Sequence, residues 1–157
     1  MRITNAITAM LMFVASAAGA QAHGAPGASA QPELKWGPAP AIFPAGAQMS
    51  VLQGNPGGTE LFTVRLRMPT GYRIPPHVHP TDEHVTVISG SFLVGMGKTF
   101  DAAKTMRLKP GGFVTAPANA AHFAVAQGPT IVQVHALGPF AMTYVNPADT
   151  PPLASSK

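Results

Sequence analysis

Chain breakers punctuate this sequence too densely for long helices: 16 Gly and 17 Pro are spread through 157 residues. In a helix interior Gly costs about 1 kcal/mol and Pro about 3 kcal/mol relative to Ala. Short strands joined by tight turns suit such a chain far better. The apolar runs between the breakers have strand length, and strands are expected at 49–53, 61–68, 85–88, 92–96, 106–108, 113–116, 122–125, 131–136 and 142–145. The second of these alternates cleanly, with Phe62, Val64, Leu66 and Met68 on one side and Thr63, Arg65 and Arg67 on the other, an exposed face. Many short strands at regular spacing indicate an all-β sandwich or closed barrel, and periodicity alone does not choose between them. No internal repeat is visible, so one barrel is expected rather than a tandem pair.

Charge narrows the function classes. Ten basic residues face six acidic ones, a formal net charge of +4, but the basic residues are scattered and form no stripe. Nucleic-acid binding is therefore not expected. At the N-terminus, Met1-Arg2 precedes an apolar run from Ile7 to Ala18, and Ala20-Gln21-Ala22 fits the small-residue cleavage rule. The run is short for a membrane span, so the expectation is a cleavable signal peptide cut after Ala22, no membrane span after cleavage, and a periplasmic or secreted protein. The expected organisation is a signal peptide at 1–22, a flexible leader and edge segment at 23–44, a barrel at 45–146 and a tail at 147–157. No cysteine is present, which removes thiolate metal sites and thiol nucleophiles. A metal here would be held by His, carboxylate or backbone oxygen. His23, at or near the new N-terminus after cleavage, is a further copper-chelating candidate.

Three of the six histidines fall between residues 77 and 84. His77 and His79 are two apart on an extended segment after Pro75-Pro76, so alternation puts both on one face. Pro80-Thr81-Asp82 reads as a turn that returns Glu83 beside them, and His122 opens a later strand after Pro117-Ala118-Asn119. Imidazoles and a carboxylate suit iron, manganese, nickel, zinc or copper.

The order of these residues resembles the cupin superfamily. Gly71-x5-His77-x-His79-x3-Glu83-x6-Gly90 matches the first cupin motif at every fixed position, and Gly111-x5-Pro117-x-Asn119-x2-His122 is similar to the second. Two departures occur: Asn119 stands where the family usually has Gly, and Ala126 where it often has Asn. Asn is the non-Gly residue that best tolerates a left-handed conformation, so a tight turn is still expected at 119. The resemblance implies a single-domain double-stranded β-helix, or jelly-roll barrel. It also implies one divalent metal ion (Fe, Mn, Ni, Zn or Cu) on His77, His79, Glu83 and His122, and structural turns at Gly71, Gly90, Gly111, Pro117 and Asn119.

Four protein ligands would leave one or two positions open on a five- or six-coordinate ion, as a working rather than a structural metal requires. The resemblance points to a dioxygenase-type oxidoreductase acting on a small molecule, with a non-catalytic periplasmic metal- or ligand-binding module as the other reading. A homodimer is expected on the same basis. Phe62, Val64, Leu66, Val85, Val87, Phe92 and Phe113 are candidate pocket walls, Phe62 and Phe92 being candidate substrate contacts. Gln133 and His135 share one face of a strand and are expected to point inward, toward substrate or a metal-bound water. His84 adjoins Glu83, so alternation turns it to the opposite face, as a supporting or interface residue. No spare carboxylate pair, Ser-His-Asp set or glycine-rich phosphate cradle is present, which argues against hydrolysis by a nucleophilic side chain.

Overall fold

The computed structural model describes residues 33–152. The expected signal peptide and His23 lie outside the described residues. Among the described residues there are eleven strands: β1 (Gly37–Pro38), β2 (Gln48–Gln53), β3 (Leu61–Met68), β4 (Arg73–Val78), β5 (Glu83–Ser89), β6 (Phe92–Met96), β7 (Thr105–Leu108), β8 (Phe113–Ala116), β9 (His122–Ala126), β10 (Thr130–Leu137) and β11 (Thr143–Tyr144). The helical elements among the described residues are two short 3₁₀ turns, Ala102–Lys104 and Pro147–Asp149. Among the described residues, no helix is long and apolar enough to cross a membrane.

The strands form two antiparallel sheets, ordered β1-β2-β3-β10-β5-β8 and β11-β4-β9-β6-β7. They face each other as a jelly roll, so the fold class is all-β as expected. The inner faces carry the apolar member of each alternation. Phe62 and Val64 on β3, Val87 on β5, and Val132 and Val134 on β10 are all essentially inaccessible. At about 25 cal/mol per Å² of apolar surface removed from water, this shared core is the main stabilising term.

β4 is the strand that spacing rules leave unassigned, because Pro75-Pro76 lies inside it. Proline lacks the N–H that a ladder needs. The ladder with β9 adapts by shifting register between Ile74 and His77. Gly71, Gly90 and Gly111 all take positive φ (+76°, +87° and +85°), and Asn119 is the one non-Gly residue with positive φ among those described, at +60°. Gly90 is further constrained by space, since an added Cβ would collide with Pro129 O and with Thr130. Ala126 is fully buried and joins the apolar core.

Candidate metal centre

Register builds the site. His77 on β4 and His122 on β9 are direct ladder partners, so their side chains leave the same face of one sheet. Glu83 opens β5 in the facing sheet, opposite Ala116 and Ala136, two small side chains that leave room in front of it. His79 lies just past the end of β4, on backbone braced from the second motif: Asn119 N–H donates to His79 O at 2.8 Å. Asp82 Oδ1 accepts from Ala118 N–H at 2.7 Å, tying the two motif turns together. The left-handed turn at Asn119 thus positions a histidine forty residues earlier in the chain.

All four side chains are buried, His77 and His79 at 3% exposure, His122 at 4% and Glu83 at 8%. The potential ligand atoms of His77, His79 and His122 lie within 4.8 Å of one another. Glu83 Oε2 is 3.4 Å from His122 Nε2 and 3.6 Å from His79 Nε2.

Backbone carbonyls fix the tautomers. Nδ1–H donates to Pro75 O from His77 (2.7 Å), to Ala141 O from His79 (2.7 Å) and to Ala120 O from His122 (3.0 Å). A carbonyl only accepts, so each Nδ1 carries its proton and each Nε2 is free to offer a lone pair. Nε2 of His79 and of His122 are the two buried side-chain polar atoms without a hydrogen-bond partner among the described residues. Leaving such atoms unsatisfied costs about 1–3 kcal/mol each. Orphaned, converging, correctly tautomerised nitrogens beside a carboxylate fit a divalent cation.

Electrostatics agree. Burial, reinforced by the neighbouring charges of His122 and His79, pushes His77 down to about 3. Burial alone would raise Glu83, but the three imidazoles hold it below its ordinary value. Burial would lower His122, but the Glu83 carboxylate and the Ala120 carbonyl outweigh it and raise the imidazole.

A cavity runs from this cluster into the barrel between the sheets. His77, Glu83 and His122 stand at one end, and Leu66, Ile74, Val85, Phe92, Val94 and Val134 are among its walls. Leu66, Val85 and Phe92 thus line it as expected. Phe113 does not: it is 56% exposed on the outer face, stacked beside His84. Phe62 contributes indirectly, packing against Phe140 (5.1 Å between ring centroids), which in turn stacks on His79 (5.5 Å, 19°).

Gln133 and His135 correct the inward expectation. Both lie on the outer face of the β3-β10-β5-β8 sheet, alternating with the buried Val132, Val134 and Ala136. They belong to a polar ladder there. Arg65 Nε–H donates to Gln133 Oε1 (3.0 Å), the Gln133 amide meets His135 Nε2 (3.0 Å), and His135 Nδ1 meets Thr63 Oγ1 (2.9 Å). His84 is on the same outer face, bonded to Thr115 Oγ1 at 3.0 Å. Sequence reasoning did not find Phe140, Ala141 or Phe43 near the site. Their contacts are long-range, and the only local hint was the Pro-rich, aromatic composition of their loops.

Residues 64–138 match the cupin domain family. With the jelly-roll sheets and both motifs, this places the chain in the cupin superfamily, to which it belongs. No curated protein matches it. Among solved structures it is similar to the polyketide cyclase RemF of Streptomyces resistomycificus (TM-score 0.60, 19% identity, covering 73% of this chain and 81% of that one). It is also similar to a candidate acetylacetone dioxygenase of Methylibium petroleiphilum PM1 (TM-score 0.57, 23% identity, 76% and 80% covered). A third is an RmlC-like cupin of Shewanella frigidimarina (TM-score 0.53, 18% identity, 68% and 86% covered). At these identities the likeness establishes the fold, and cupin folds carry unlike chemistries.

Proposed function

We propose that this chain is a metal-dependent cupin oxidoreductase of dioxygenase type, acting on a small organic molecule at His77, His79, Glu83 and His122. The observation that carries the reading is the convergence of three buried imidazoles on one another, two of them with unpartnered Nε2 atoms that also approach the Glu83 carboxylate. A divalent ion bound there would supply a Lewis-acidic and, for iron, manganese, nickel or copper, redox-active centre.

The chain's own residues supply position and exclusion. Three carbonyl-anchored imidazoles hold their rings still, and Glu83 neutralises charge in a site that water reaches poorly. The wall residues are apolar apart from His77, Glu83 and His122. No acid, base or nucleophile beyond the cluster faces the cavity among the described residues, which supports chemistry borne by the metal over hydrolysis by side chains. The same inert walls are what favour the second reading, a non-catalytic module that binds a metal or small ligand. Export, on the strength of the sequence of residues 1–22, would place either activity in the periplasm or outside the cell.

Oxygen-electrode measurements on metal-reconstituted protein, across phenolic, diketone and thiol compounds, test the reading. Substrate-dependent oxygen uptake that disappears in His77→Ala supports an oxidoreductase. A ligand that binds and is recovered unaltered after long incubation with metal and oxygen supports the binding module instead.

A further inference from the structure

We propose that Phe43 is the residue that sets the size of molecule the metal cavity admits, and that with its ring in place the cavity takes only compact ligands of a few heavy atoms. The proposal rests on the reading above for its substrate, but the size limit is a property of the barrel itself.

Phe43 lies far from both motifs, in the turn between β1 and β2, yet it is only 5% exposed and shares the cavity with His77, Glu83 and His122. Its loop bridges the two sheets. Its base is closed by Ala39 N–H donating to Ala47 O (3.0 Å), and its turn by Phe43 N–H donating to Pro40 O (2.9 Å). It continues into β2, which pairs with β3 in one sheet. Two tyrosines from the other side hold it. Tyr144, the β11 ladder partner of His77, donates its hydroxyl to Ile42 O at 2.7 Å. Tyr72, immediately before β4, donates to Pro44 O at 2.5 Å. The two clamps fall on the carbonyls directly before and after Phe43, so the ring is pinned from both flanks. Its edge also meets Phe140 (5.8 Å, 53°), the ring that stacks on His79.

With Phe43 in place, the cavity leaves about 30 Å³ open to the centre of a water-sized sphere. One water needs about 10–15 Å³ by that measure, so the space holds roughly two waters, the bulk of three or four heavy atoms. The other walls are β-strand side chains fixed in ladders, such as Val85, Val94 and Val134. Phe43 is the large wall residue carried on a loop rather than a strand. The ligand class that fits is compact and apolar, with one oxygen donor directed at the His/Glu end. An apolar cavity of about 150 Å³ binds benzene, and deleting the Phe43 ring beside the existing void gives space of that order.

Two probes separate the size limit from the metal reading. Benzene is titrated into metal-free protein and followed by amide NMR shifts. Wild type should show no saturable binding and Phe43→Ala a gain of at least about tenfold in affinity, with Phe43→Leu between them; should the alanine variant not fold, leucine against wild type carries the comparison. In cobalt-loaded protein, acetate should perturb the visible spectrum of wild type while benzoate does so only after the Phe43 substitution. Benzene or benzoate binding to wild type as readily as to the variant would overturn the proposal. Absence of cobalt uptake would instead count against the metal centre, leaving the benzene result to decide on Phe43.

Discussion

Replacing Glu83 with Gln keeps the shape of the site and removes the charge that its histidines answer to. In metal-free protein, three titrations then decide how stability depends on pH. His77 is depressed to about 3 from an ordinary 6.5, so it contributes stability above pH 6.5 that is lost as pH falls toward 3. His122 is raised, so its contribution is complete below 6.5 and is lost as pH climbs through its folded value. Glu83 is lowered from 4.5, so its contribution is lost only under more acidic conditions. Metal-free wild type is therefore most stable near pH 6.5 and loses stability on either side. Opposite charges 3.4 Å apart attract by about 5 kcal/mol at an effective dielectric of 20. Burial offsets part of that, and breaking one partner of a buried pair costs about 3 kcal/mol, or roughly 10 °C in Tm for a domain of this size. Thermal melts of EDTA-treated wild type and Glu83→Gln from pH 4 to 9 measure it. At pH 6.5 the variant should melt lower, and its Tm should stay flat above pH 6.5 where wild type declines. A variant that declines above pH 6.5 in parallel with wild type would refute the pairing of Glu83 with His122.

Two further substitutions probe the surroundings. Gly90→Ala places a Cβ against Pro129 O and Thr130 at a backbone angle that suits Gly, and should destabilise the barrel by about 2 kcal/mol or more in urea unfolding. His135→Ala removes the middle of the outer polar ladder and should lower stability by about 1 kcal/mol while leaving metal content unchanged; loss of metal in that variant would contradict the outward orientation of β10's polar face.

Legibility in the sequence followed the range of the forces involved. β3, β6 and β8 have the boundaries that alternation and turn residues predict, because those signals are local. The left-handed turn at Asn119 was equally local, a matter of which side chain tolerates positive φ. β4 was less legible, since Pro75-Pro76 argues against a strand and only the register shift on pairing with β9 accommodates it. Gln133 and His135 point outward, against the expectation, because their apolar neighbours are the core-facing set of β10. Val132, Val134 and Ala136 are opposed by Val64, Leu66 and Phe62 on β3, and burying six apolar side chains outweighs burying two polar ones. Phe113 sits on an edge strand, where an aromatic residue has no sheet neighbour beyond it to cover its ring. Phe43 and Phe140 join the site through contacts between distant segments, which no local pattern encodes.

Elemental mass spectrometry on protein purified without an affinity tag, with His122→Ala beside it, tests the central claim most directly. The account predicts near-stoichiometric iron, manganese, nickel, copper or zinc in wild type and its loss in the variant, since His122 contributes one of the two orphaned nitrogens of the cluster. Metal absent from both proteins after reconstitution, or retained equally by both, would contradict it.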